Sequence, residues 1–274
     1  MKFDYCSDLH LDLFENSSDK EIVKYISKKL HTENRGDYII IAGDIASNNI
    51  EYKRLYQIVD KWCSENYQMT FVVLGNHDYY GGDLETSAIN VQKWMPSTVV
   101  LDFRISPYFV LGDVVLVGTT MWTDVSDAYK GLFIRSQLND YRAIKTSENG
   151  ERVTTEDITI EHKKSVEALE TIFNYFSDRN IVVVTHHIPT FDGKVKPRLS
   201  EVTDGREDPI LDNAYYVELS DMIVKYPNIV TWISGHNHKT YTVDIGDTKL
   251  LLNCCGYHFS KDARNFKLRD FEIS

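Results

Sequence analysis

Short apolar runs alternate along the chain with segments whose apolar residues recur every three or four positions, the spacing of strands alternating with amphipathic helices. "FDYCSD" (3–8), "YIIIAGD" (38–44) and "MTFVVLGNHD" (69–78) predict three strands. Between them, residues 19–30 put Ile22, Val23, Ile26 and Leu30 on one helical face, with Asp19 as the expected cap. Residues 51–66 and 83–95 predict two more helices, the second stopped by Pro96. The texture then changes. "PYFVLGDVVLVGTTMW" (107–122) predicts a hairpin turning through Gly-Asp. A long amphipathic helix (154–178), the strand "IVVVTHH" (181–187), a polar loop (190–210) and a helix (213–225) follow. Strands at 229–238, 241–246 and 249–256 close the chain. A βαβαβ half before a β-rich half predicts an α/β (α+β) fold. Two mixed β-sheets would pack as a sandwich flanked by helices, in one domain over residues 1–274.

Composition narrows the function classes. A length of 274 residues supports a sizeable core without covalent staples. The net charge of −11 argues against tight binding to duplex nucleic acid, although bound metal ions can reverse the field locally. Cys6, Cys63, Cys254 and Cys255 include no CxxC pair, which predicts reduced thiols and a reducing compartment. "MKFDYCSDLHLDLF" carries acids early and lacks the apolar run of a signal peptide or membrane span. The expectation is a soluble cytoplasmic protein with no membrane partner and an oligomeric state the sequence leaves open.

The chemistry gathers at strand ends. Five predicted strands finish in Ser7-Asp8-Leu9-His10, Gly43-Asp44, Gly75-Asn76-His77-Asp78, His186-His187 and Gly235-His236-Asn237-His238. Ligand sites in α/β sheets form beyond the carboxyl ends of strands. Each segment alone reads as a hydrogen-bonded strand end. Together, Asp and His in this mixture point to divalent metals. Asp8-x-His10 and His236-x-His238 share a spacing that sends both side chains one way from extended chain. The glycines before Asp44, Asn76 and His236 allow sharp turns and close backbone approach.

In this order, "SDLH", "GD", "GNHD", "THH" and "GHNH" resemble the calcineurin-like metallophosphoesterase superfamily. "CSDLHL", "GNHDYY" and "THHIPT" look most like its single-domain bacterial and phage-type members. The resemblance implies a dinuclear metal centre at the strand ends. One ion would be held by Asp8, His10 and His238, and the other by Asn76, His186 and His236, with Asp44 bridging, one oxygen to each. It further implies attack on phosphorus by a metal-bridging hydroxide, with His77 contacting the phosphate and acting as general acid, and Asp78 behind the metals. The expected substrate is a small phosphodiester or phosphomonoester, nucleotide-like first. The expected cofactors are two divalent ions, manganese before iron, zinc or nickel. A nuclease or protein phosphatase of the same fold, or a non-catalytic scaffold using the metal face, are the alternatives.

Other residues carry weaker signals. His187 reads as packing beside the site. His31 and His162 read as solvated helix-surface residues, and His258 as either lining the site or packing. Tyr79 and Tyr80 either wall a substrate pocket or pack beneath it, and Tyr79 joins Asn76 and His77 as a substrate-contact candidate. "LNDYR" offers Arg142 as a phosphate clamp, against the reading of a plain surface arginine. Lys194, Lys196 and Arg198, in the 190–210 loop, are placed to cover a substrate, against the reading of a solvated mixed-charge loop.

Overall fold

A computed structural model describes residues 1–14, 16–191 and 209–273. In chain order its strands are β1 (Lys2–Cys6), β2 (Tyr38–Ala42), β3 (Met69–Val73), β4 (Thr98–Val100), β5 (Tyr108–Leu111), β6 (Val114–Thr119), β7 (Asn180–Thr185), β8 (Ile229–Ser234), β9 (Thr240–Ile245), β10 (Thr248–Asn253) and β11 (Arg269–Glu272). The α-helices are α1 (Asp19–Lys29), α2 (Lys53–Asn66), α3 (Ser87–Trp94), α4 (Ala128–Gln137), α5 (Asp140–Ala143), α6 (Thr155–Tyr175), α7 (Asp212–Tyr215), α8 (Ser220–Lys225) and α9 (Lys261–Asn265).

These strands form two mixed sheets, ordered β11-β1-β2-β3-β4 and β5-β6-β7-β8-β10-β9. β1 to β4 run parallel, as do β6, β7, β8 and β10, with antiparallel strands only at the edges. Parallel strands covered on both faces need apolar side chains on both, which is why "YIIIA" and "NIVVVT" are nearly unbroken apolar runs. Ile40 points inward with Phe3, Tyr5, Phe71 and Val73 to meet Leu116, Val182, Val184, Ile233 and Leu251 of the second sheet. Ile39 and Ile41 point outward to Ile22 and Ile26 of α1 and to Leu55 and Val59 of α2. Val183 and Trp232, on the outer face of the second sheet, meet Leu169 and Phe173 of α6 and Ile223 of α8. The predicted sandwich with outer helices is the observed architecture.

Several boundaries differ from expectation. Ser18, not Asp19, caps α1, in a capping box with Glu21. The helix expected from 83 starts at Ser87, because the Asp83 carboxylate draws the Glu85 and Thr86 amides into a turn at 2.9 and 2.8 Å. The helix expected over 213–225 is broken into α7 and α8 where Tyr216 bridges to Ile188 beyond β7. β4, β11, α4, α5 and α9 lie outside the elements that the pattern predicts. The expected covering loop at 190–210, with Lys194, Lys196 and Arg198, lies mostly in 192–208, outside the described residues. No helix among the described residues is long and apolar enough to cross a membrane. All four cysteines are buried and unpaired.

Candidate metal centre

β1, β2, β3, β7 and β8 end on one edge of the sandwich, and the metal-ligand candidates occupy the loops just beyond. Backbone contacts stitch those loops together. The amides of Asp8 and His10 donate to the carbonyls of Gly43 and Asp44, both at 3.0 Å, and Gly235 donates to His186 at 3.0 Å. The His236 amide donates to both Asp8 carboxylate oxygens at 3.2 Å, joining the two sheets.

The expectation that Asp8-x-His10 and His236-x-His238 lie in extended chain is wrong. Asp8, His10, Asp44, His236 and His238 all have left-handed backbone, with φ of 58, 45, 58, 72 and 55°. Met121 is the other non-glycine residue in that region among those described. Such geometry costs roughly 1–2 kcal/mol per residue, and its concentration at one rim marks a functional site. The pairs converge because the chain curls around a point, not because side chains alternate. Gly43 (φ 87°) and Gly75 provide the close approach. A Cβ on Gly75 would lie 2.1 Å from Asp44 Oδ1 and 2.7 Å from His186 Cε1, and one on Gly43 would lie 2.5 Å from His186 Nδ1.

Two sets of donor atoms result, and both include Asp44. In the first, His238 Nε2 lies 2.9 Å from His10 Nε2 and 3.4 Å from Asp8 Oδ1. In the second, His186 Nε2 lies 3.2 Å from Asn76 Oδ1 and 3.1 Å from His236 Nδ1. Asp44 Oδ1 accepts the His77 amide at 2.9 Å. Its Oδ2 faces both sets, 3.7 Å from His10 Nε2 and 3.4 Å from His186 Nε2. Asp44 is thus the residue that the two sets have in common.

The donor set fits divalent cations. The Nδ1–H of His186 donates to the Ala42 carbonyl at 2.8 Å, so Nε2 is the nitrogen left to hold a proton or a cation. Nε2 faces a carboxylate oxygen, an amide oxygen and another ring nitrogen, a cluster of acceptors that positive charge resolves. Burial opposes charge on His186, but Asp44, Asp8 and the Ala42 carbonyl together outweigh it and raise the pKa to about 9, the mark of a site that attracts positive charge. Among the described residues, His10 Nδ1 and His236 Nε2 are buried without hydrogen-bond partners.

Surrounding groups hold the donors in place. Buried Asp78 accepts the amides of Asp44 and Gly75 at 2.7 and 2.8 Å, those of Ile45 and Ala46 at 3.1 and 3.3 Å, and the Tyr56 hydroxyl at 2.7 Å. It thus shapes the turn bearing Asp44 and does not line the cavity. Burial and neighbouring Asp44 push its pKa up to about 6. His187 is buried with its ring 4.4 Å from that of His236 and its Nδ1 3.2 Å from the Thr120 carbonyl. Burial holds its pKa down at about 3, so it is a neutral support beside the second set.

A sequence model described as calcineurin-like phosphoesterase matches residues 1–240, most of the chain. The chain belongs to the calcineurin-like phosphoesterase family. Metal-dependent phosphoric ester hydrolysis follows as its class of activity. Among solved structures, a phosphopantetheinyl hydrolase (PptH) of Mycobacterium tuberculosis is similar, with a TM-score of 0.71 and 16% identity, over 100% of this chain and 96% of that one. TT1561 of Thermus thermophilus matches with a TM-score of 0.51 and 13% identity, over 100% and 99%. At these identities the likeness is one of fold. No curated protein sequence matches.

The phosphoesterase has a cavity of about 480 Å³ over its metal edge, lined by Asp44, His77, His236 and His238 and walled by Tyr80, Tyr215, Tyr257 and Phe259. The His77 ring lies 4.6 Å from that of His10 and 4.3 Å from that of Tyr80. Tyr257 packs on both His10 and His238 at 4.6 Å. Of the two tyrosines weighed from sequence, Tyr80 is the wall. Tyr79 is 1% exposed, turned under the site by the short helix at His77–Tyr79, with its hydroxyl 3.1 Å from that of Thr120. Arg142 is exposed, donates to the Ser136 carbonyl at 2.6 Å and does not line the cavity; its neighbours Asn139 and Asp140 do. His162 is half-buried, not solvated, with Nδ1 2.9 Å from the Trp122 carbonyl. His31 is exposed just beyond α1, and His258 packs on Phe14 while Tyr257 takes the lining position. Tyr215, Tyr257 and Asp140 also line the cavity, and the sequence carries no signal for them because none lies in a metal-ligand motif.

Proposed function

We propose that this phosphoesterase hydrolyses a small nucleotide-like phosphodiester or phosphomonoester with two divalent ions, manganese first among them. Asp8, His10 and His238 hold one ion, Asn76, His186 and His236 hold the other, and Asp44 is common to both. The observation that carries this reading is the Asp44 carboxylate: one oxygen faces both donor sets, beside a cavity that also presents the His77 imidazole. When bound, the ions withdraw charge from a phosphate and lower the pKa of water. His77 contacts the phosphate and protonates the leaving oxygen, within a role that ordinarily contributes roughly 10²–10⁴-fold. Asp78 holds the turn that aims Asp44. Asn76 contributes a neutral oxygen, which leaves the site more positive toward an anionic substrate than a second aspartate would.

Support for a nucleotide-like group comes from the aromatic walls. Tyr80, Tyr215, Tyr257 and Phe259 offer flat faces around the metal edge, and Phe259 is 66% exposed at the mouth. Mixed imidazole, carboxylate and amide donors suit manganese, with iron, zinc and nickel as competitors. Four buried, unpaired cysteines fit a reducing, cytoplasmic location.

The test is a screen of the manganese-reconstituted protein against nucleoside monophosphates, cyclic nucleotides, aryl phosphodiesters and a phosphopantetheine diester, the last chosen from the name of the similar structure. Turnover of a nucleotide substrate well above that of a methyl phosphodiester is expected. Fewer than one equivalent of transition metal after reconstitution would sink the reading.

A further inference from the structure

We infer that Asp140 is a positioning residue that sets two parts of the centre at once: which face of the Asn76 amide meets the second donor set, and where the His77 ring sits. The inference rests on the reading of Asn76 as a metal ligand. Asn76 Nδ2 donates to Asp140 Oδ1 at 2.9 Å, and the Tyr80 hydroxyl donates to the same oxygen at 2.6 Å. Asn76 Nδ2 also donates to the Tyr80 hydroxyl at 3.2 Å, closing a triangle of three side chains.

An asparagine amide has an acceptor end and a donor end of nearly equal size, and only the oxygen can bind a cation. A carboxylate accepts and does not donate. Asp140 therefore captures Nδ2 and leaves Oδ1 turned toward His186 Nε2, 3.2 Å away. With Asp140 gone, the amide can flip and present N–H groups to the cation. Tyr80 is the second arm. Its hydroxyl is tied to Asp140 while its ring lies 4.3 Å from the His77 ring, so the carboxylate also fixes the surface on which the imidazole rests. Asp140 is buried, at the start of α5 and 64 residues from Asn76. Asp140 supplies no atom to either set of donors, and its effect passes through Asn76 and Tyr80.

Metal titration of four variants, by calorimetry and elemental analysis, tests this alongside turnover. Asn76→Ala is the benchmark and should lose the second equivalent. Asp140→Ala should keep the first ion at unchanged affinity and bind the second roughly 10- to 100-fold more weakly, the usual effect of removing a group that orients a ligand. Asp140→Asn keeps an acceptor but loses its charge and its preference for one end of the amide, so about a threefold to tenfold weakening is expected. Tyr80→Phe should retain both ions at wild-type affinity and lower kcat without changing KM. If Asn76→Ala keeps two equivalents, the ligand reading fails. If it loses one while Asp140→Ala binds both as wild type does, the Asp140 inference alone is overturned. Should Asp140→Ala not fold, Asp140→Asn decides: wild-type second-ion affinity overturns the inference.

Discussion

The two donor sets share Asp44 but are held in different ways. In the second set, His186 is fully buried with Nδ1 fixed on the Ala42 carbonyl, and Asn76 is fixed by Asp140. In the first, His10 Nδ1 has no hydrogen-bond partner and the His238 side chain is 21% exposed at the cavity. Those two imidazoles are placed by packing on Tyr257 instead. Hydrogen bonds define tautomer and ring angle before an ion arrives, whereas packing defines only the angle. His236 Nε2 in the second set also lacks a partner among the described residues, so the contrast rests on His186 and Asn76 against His10 and His238: at those ligands the second half is the more preorganised, and the first half the more open to exchange and to substrate.

The largest effect is expected from Asp44→Ala, which removes the carboxylate common to both halves. Both ions should be lost, and with them several kcal/mol of charge stabilisation, a fall of about 10³-fold or more in turnover; a variant retaining two equivalents would contradict the sharing. His77→Ala comes next. Both halves should stay filled while an aryl phosphodiester turns over about 10²-fold more slowly, with a steeper loss for poorer leaving groups. Activity equal to wild type would remove the assigned role. His186→Ala should empty the second half and leave the first, whereas His187→Ala should weaken metal binding far less. The reverse order would mean that the register after β7 is shifted by one. The smallest effect is kinetic. In graded chelation the first half should release its ion before the second, visible as two phases of metal loss, and release in the opposite order would reverse the contrast drawn here.

Much of this was legible because local pattern and tertiary role coincide. Strands buried on both faces must be apolar throughout, so "YIIIA" and "NIVVVT" announce themselves, and the glycines before the turns need φ or space that other residues lack. What stayed hidden depends on distant partners. β11, "RDFE", is an exposed edge strand whose identity comes only from pairing with β1. Asp140 looks like any helix-start acid until Asn76 is brought beside it. Tyr79 and Tyr80 take different roles because a single turn of helix over His77–Tyr79 sends the first inward. The Asp-x-His spacing gave the right grouping for the wrong reason, since alternation presumes extended chain and the residues are left-handed.

The left-handed backbone also bears on how such a protein would decay. At His10, His236 and His238 glycine would sit without strain, whereas histidine does not. Exchange of one of these for glycine would abolish a ligand yet relieve roughly 1 kcal/mol of conformational strain. The strain at the rim is therefore kept for the ligands it presents, and the packing of the buried rings is what opposes their loss.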